Sequence, residues 1–181
     1  MYILASASPR RKELLSLITT DFKIVPSGGE ETVPNNIPPE KQPEYLARLK
    51  ALSVSRNYPE YTVIGADTSV IADGKILGKP KNRSEAWDMI TALSGSTHKV
   101  ITGCAIVKKG VCRSFSKETL VEFYALDERE IEEYISTDEP YDKAGAYGIQ
   151  GRGALLVKGI KGDYFNVVGL PVAALKRELG V

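Results

Sequence analysis

Imidazole is almost absent from this chain: His98 is its one histidine. A Ser-His-Asp triad, or a zinc site built from several histidines, would have to run through that residue. Acid–base work therefore falls to carboxylates and lysines. Cysteine is nearly as scarce. Cys104 and Cys112 flank an expected hairpin turn near Lys108-Lys109-Gly110, where they could face each other. Two thiols in a chain with no signal peptide fit a reduced, cytoplasmic protein in which both are structural. Long apolar runs are missing too. MYILASASPRR is apolar for only its first five residues, which excludes a secretory signal and a membrane span. Charge of one sign is not in excess: 24 basic side chains face 23 acidic ones, so neither a nucleic-acid footprint nor a membrane patch is expected. There is no Walker GxxxxGK[ST] loop, no internal repeat, no low-complexity segment and no linker.

What is present is an ordinary globular composition, 43% hydrophobic and 26% charged over 181 residues, which suits one domain spanning 1–181. Strand and helix signals alternate. Residues 1–5 read as a buried strand, and 9–18 as a helix with Ser8 as N-cap and Pro9 at the first position. A short strand at 22–25 leads into a polar loop, 27–42, too long to be a mere connector. A helix over 43–56 places Tyr45, Leu46, Leu49 and Leu52 at amphipathic spacing. The strand 62–66 ends at Asp67-Thr68, and 69–77 forms a hairpin around Asp73-Gly74. Ser84 caps a helix over 85–93, which Gly95 stops. Two β-rich stretches follow, 97–108 and 111–124. Asp127 and Glu130 form a capping box for a helix at 128–136. A strand at 154–158 and a helix from Pro171 close the chain. This mixture predicts an α/β fold with a mixed sheet, not a doubly wound parallel one.

Five places carry chemistry. SASPRR, 6–11, joins the first strand to the first helix. A helix N-terminus already has partial positive charge and unpaired N–H groups, so cations there need a reason. A phosphate chain supplies one, since N–H groups, hydroxyls and guanidinium forks converge on it. A solvated basic turn, costing roughly a few tenths of a kcal/mol, is the plain alternative. In GADTSV, 65–70, Asp67 sits at a strand's C-terminal edge, where α/β sheets gather ligands; it reads as a metal ligand, a base on water, or a turn aspartate. Lys79 in LGKP, 77–80, reads as a phosphate contact or as an exposed loop lysine, and Lys50, on the helix of 43–56, has a similar plain reading as a surface residue. Glu30-Glu31 reads as a metal-binding pair or as solvated acids. DKAGAYGIQG, 142–151, spaces glycines at 145, 148 and 151, which permit close backbone approach to a ligand or simply build a turn. Its polar groups are Asp142, Lys143 and Gln150. A glutamine both donates and accepts, which suits the O4 and N3–H of uracil or thymine.

SASPRR, GADTSV, LGKP, LSGSTHKVITG at 93–103, DKAGAYGIQG and GDYFNVVGLP at 162–171 occur in an order that resembles the Maf family of nucleoside triphosphate pyrophosphatases, end to end. The resemblance implies a Maf/Ham1 (ITPase)-like α/β fold, an elongated mixed sheet flanked by helices with a central nucleotide cleft. It implies cleavage between the α- and β-phosphates, releasing the monophosphate and pyrophosphate, with a divalent metal, Mg²⁺ or Mn²⁺. Asp67 matches the family's proton acceptor. Arg10, Thr68 and Gln150 match its specificity positions, in a combination like the branch acting on dTTP and UTP. Modified pyrimidine nucleotides belong to the same expectation. Ser8, Arg11, Lys50, Lys79 and Lys143 match positions associated with the triphosphate, and Glu31, with Asp67, matches metal positions. The chain departs from the family ahead of Glu31, where Gly28 and Gly29 replace acids. The resemblance further implies house-cleaning of nucleotide pools in the cytoplasm and allows a homodimer. The family's tie to septum formation leaves an alternative, a nucleotide-binding regulator acting through a protein partner.

Overall fold

The computed structural model describes residues 1–28 and 32–181, so the expected metal residue Glu31 lies outside the described residues. Apolar segments divided by glycine- and proline-bearing turns build one mixed sheet. β1 (Tyr2–Leu4) lies between β2 (Phe22–Ile24) and β3 (Thr62–Ala72), parallel to both. β4 (Lys75–Leu77), β5 (Thr97–Lys108), β6 (Val111–Phe123) and β7 (Val157–Lys161) join antiparallel. The order is β2-β1-β3-β5-β6-β7, with β4 beside β3. Both expected hairpin turns form. Asp73-Gly74 and Lys109-Gly110 have positive φ at both residues, the conformation whose twist matches paired strands. The cysteines are free thiols and do not face each other, since the register pairs Cys104 with Phe115 and Cys112 with Val107.

Helices cover the sheet, and several depart from the expected bounds. α1 (Pro9–Ser16) starts with Ser8 as cap, as expected. α2 (Gln42–Ser55) buries Pro43, Ala47, Ala51 and Val54, not the larger Tyr45, Leu46, Leu49 and Leu52. The cause is close approach. A Cβ on Gly65 of β3 would lie 2.3 Å from the Ala47 carbonyl oxygen, and one on Gly103 of β5 would lie 2.2 Å from the Glu44 nitrogen. Helix backbone against strand backbone leaves room only for small side chains between them. α3 (Arg83–Leu93) is capped by Asn82, not Ser84: the Asn82 side chain accepts from the Glu85 N–H at 2.9 Å. α4 (Glu128–Ile135) carries the Asp127/Glu130 capping box. The expected strand at 154–158 is displaced, because Gly151–Leu156 winds into a 3₁₀ turn and β7 begins at Val157. α5 (Tyr164–Val168) is too short for periodicity to reveal, and α6 (Val172–Leu179) ends the chain. Among the described residues no helix is long and apolar enough to cross a membrane.

One feature of the sheet prepares the site. β3 does not end at Asp67-Thr68 but runs on to Ala72, which corrects the sequence reading. Its pairing with β1 stops at Ile64, and its pairing with β4 starts at Val70. Between those points one edge of β3 has no strand neighbour among the described residues, and Asp67 and Thr68 lie in that gap. Alternation sends the two side chains to opposite faces, Asp67 toward Lys50 of α2 and Thr68 toward Arg11 of α1. An interrupted edge can be reached from both faces at once.

Candidate active site

A cavity of about 530 Å³ opens at that gap. Its size is within the range of small-molecule sites. Every described candidate residue lines it: Ser8, Arg10 and Arg11 from the start of α1, Lys50 from α2, Asp67 and Thr68 from β3. Lys79 after β4 and Lys143 and Gln150 from the glycine-rich loop complete the set. Among the described residues, five cations (Arg10, Arg11, Lys50, Lys79, Lys143) and three carboxylates (Asp67, Glu139, Asp142) line the wall, a formal excess of two positive charges. Low-dielectric walls focus such an excess on an anion.

The charges are held in different ways. Lys50 Nζ lies 2.5 Å from Asp67 Oδ1, with both side chains largely buried. That pairing fixes the carboxylate beside the open edge. Arg11 folds back onto the protein: Nε donates to the Gly169 carbonyl at 2.9 Å, Nη1 to Ser6 Oγ at 3.2 Å and Nη2 to Thr68 Oγ1 at 3.0 Å. Thr102 gives its one hydroxyl proton to the Asn166 carbonyl at 2.8 Å, so at the 2.9 Å contact between the two threonines Thr68 is the donor. Thr68 is thus engaged on both sides. Asn166, wholly buried, accepts from Thr102 N–H and donates to Val100 O and Thr119 Oγ1.

At the other wall Asp142 sits between two cations, 3.4 Å from Arg10 Nη1 and 2.6 Å from Lys143 Nζ. Burial pushes its carboxyl up, but the hydrogen bond and charge of Lys143, with Arg10, outweigh that and hold it below the ordinary value. Lys143 also donates to the Glu139 carbonyl at 2.7 Å, and its stem lies against Gly148. Lys79 is exposed, and no described group bonds its ammonium. Gln150 is exposed as well, and no described group bonds its amide.

The model of the Maf-like protein family matches residues 1–180. The chain belongs to the Maf-like family. This Maf-like chain is 50% identical over 177 residues to the dTTP/UTP pyrophosphatase of Bacillus cereus, covering 98% of this chain and 93% of that one. It is 51% identical over 178 residues to the dTTP/UTP pyrophosphatase of Bacillus cytotoxicus, with the same coverage of each. Among solved structures, the Staphylococcus aureus Ham1 protein is 15% identical with a TM-score of 0.46, over 67% of this chain and 71% of that one.

Several residues around the cavity of this Maf-like chain escaped the sequence reading. Thr102 and Asn166 lie inside quoted motifs, yet nothing in their type marks them, because their partners are 34 to 66 residues away. Glu139 lies just before DKAGAYGIQG and carried no signal. His98 does not line the cavity; it packs edge-to-face with Phe123 and Tyr147, and its Nε2 lies 2.7 Å from the Tyr147 hydroxyl. For metal, no group of three His, Cys, Asp or Glu side chains that could hold an ion occurs among the described residues. Asp67 has one oxygen that no described group bonds. Such a donor set fits a divalent cation held mainly by phosphate oxygens, since Mg²⁺ commonly takes one or two carboxylates plus substrate phosphates.

Proposed function

We propose that this chain, as one domain over 1–181, is a nucleoside triphosphate pyrophosphatase acting on dTTP and UTP. The observation that carries the reading is the convergence of Asp67, the cations and Gln150 on one cavity, in a chain half identical to relatives named for that activity. A triphosphate resists attack because its oxygens repel a nucleophile. The α1 N-terminus with Ser8, together with Arg11, Lys79 and Lys143, offsets that charge and stabilises the departing pyrophosphate, while Arg10 belongs with Thr68 and Gln150 among the residues that select the substrate. Asp67 takes the proton of the water that attacks the α-phosphorus, and Lys50 holds Asp67 in place. Asp67 and Glu31 are the residues that would hold a divalent cation, Mg²⁺ or Mn²⁺, which when bound supplies charge neutralisation on the phosphates. Gln150 meets the uracil or thymine edge with one donor and one acceptor. Thr68 contributes to selection by fixing Arg11, its hydroxyl being engaged by Thr102 and Arg11.

Pyrophosphate release over a panel of nucleoside triphosphates, with Mg²⁺ or Mn²⁺, tests the reading. dTTP and UTP are the expected substrates. Asp67→Asn should lower kcat by about 10² to 10⁴, the usual contribution of a general base, while calorimetry still detects nucleotide binding. Full turnover in that variant removes Asp67 from the chemistry. Saturable dTTP binding by the native chain without pyrophosphate release favours the regulator instead.

A further inference from the structure

We propose that Glu139 is a positioning residue for base selection, acting through the backbone that carries Gln150; this rests on the reading of Gln150 given above. The Gln150 side chain has no described partner, so its aim is set by its own backbone. That backbone belongs to no strand; it precedes the 3₁₀ turn Gly151–Leu156. What holds it is one carboxylate. Glu139 Oε1 accepts from the Gly153 N–H at 2.9 Å and from the Tyr134 hydroxyl at 3.1 Å, and Oε2 accepts from the Arg152 N–H at 2.9 Å. The Tyr134 oxygen in turn accepts from the Gly148 N–H at 3.3 Å. The segment is therefore clamped at 148 and again at 152–153, with Gln150 between the clamps.

Two glycines make this geometry accessible. Gly151 has φ +70°, and a Cβ there would lie 2.6 Å from Glu139 Oε2. A Cβ on Gly153 would lie 2.1 Å from the Gly148 carbonyl oxygen, so the segment closes on itself around the carboxylate. Three donors converge, and only an ionised carboxylate accepts at both ends without donating. Burial pushes the Tyr134 phenol up, the Gly148 N–H opposes this and the Glu139 charge adds to it, so the phenol remains an O–H donor. Glu139→Gln keeps the shape but turns an N–H toward Arg152 N–H or toward the Tyr134 and Gly153 donors. The first orientation loses one bond of the clamp and the second loses two.

The test compares kcat/KM for UTP and CTP in the native chain, Gln150→Ala, Glu139→Gln, Tyr134→Phe and the Gln150→Ala/Glu139→Gln pair. Glu139→Gln should lower the UTP-to-CTP ratio about tenfold, the worth of one hydrogen bond, and Gln150→Ala by a similar factor. The double variant should fall no further than Gln150→Ala alone, and Tyr134→Phe should show a smaller fall of the same kind. A ratio lost in Gln150→Ala but unchanged in Glu139→Gln and Tyr134→Phe overturns the role of Glu139 and leaves that of Gln150. An unchanged ratio in Gln150→Ala overturns the reading on which the proposal rests, and the proposal with it. Equal losses for UTP and CTP in Glu139→Gln, or additive falls in the double variant, also overturn it, since a merely structural contact would act that way. Should Glu139→Gln fail to fold, Tyr134→Phe carries the same comparison.

Discussion

Arg10 and Arg11 are neighbours in sequence with different employments. Arg10 reaches across the cavity to Asp142, while Arg11 turns inward to Ser6, Thr68 and Gly169. Both cations at this helix start line the cavity and are held by protein groups, not scattered on a solvated turn. Residue-scale signals in the sequence were readable where the partner is three positions away, as with Ser8 and Arg11 N–H, or Asp127 and Glu130. Asn82 and Ser84 are both good caps two positions apart, so sequence alone does not choose between them for α3, and the fold selects Asn82. His98 supports a prediction at this scale. Burial lowers its pKa from 6.5 to about 4. Between those values the unfolded chain binds a proton that the folded chain does not, so stability is complete above about pH 6.5 and falls as pH drops toward 4. The loss is on the order of 3 kcal/mol. Urea unfolding at pH 7 and pH 4 should show a smaller acid loss in His98→Gln than in the native chain. Equal losses would show that His98 is not held neutral.

At the scale of elements, α2 sits unusually close to the sheet. Its contact is alanine on glycine, which a search for large periodic apolar residues cannot find. Gly103→Ala would place a Cβ 2.2 Å from the Glu44 nitrogen, with no flexible side chain able to yield. Overpacking of this kind costs about 1–3 kcal/mol. It should also shift Lys50 relative to Asp67, so the urea midpoint and pyrophosphate release should fall together. Gly159→Ala on β7, where a Cβ meets nothing within 4 Å, should stay within about 0.5 kcal/mol of the native chain. The reading of β3 shows the same limit. Its apolar start was legible, but its true length was not, because the polar pair Asp67-Thr68 resembles a strand end unless one knows that β5 pairs through both.

On the scale of the whole molecule, the cavity is assembled from segments spread between Ser8 and Gly169. A ligand seated there should stabilise them as a unit. A non-hydrolysable dTTP analogue at about 100 times its Kd should add about 2.7 kcal/mol to the unfolding free energy. Hydrogen exchange should then slow near SASPRR and near GAYGIQG in the same experiment. Protection confined to SASPRR would point to phosphate binding without base recognition. The sequence by itself determined the two hairpin turns, the caps of α1 and α4 and the set of polar residues in the motifs, since each is decided by interactions within a few positions. Only the tertiary structure decided that β3 has an open edge, that α2 rests on bare glycine, that Arg11 faces inward and that Glu139 clamps the backbone of Gln150. Those outcomes depend on groups from 13 to 158 residues apart, whose meeting is set by packing and not by local preference.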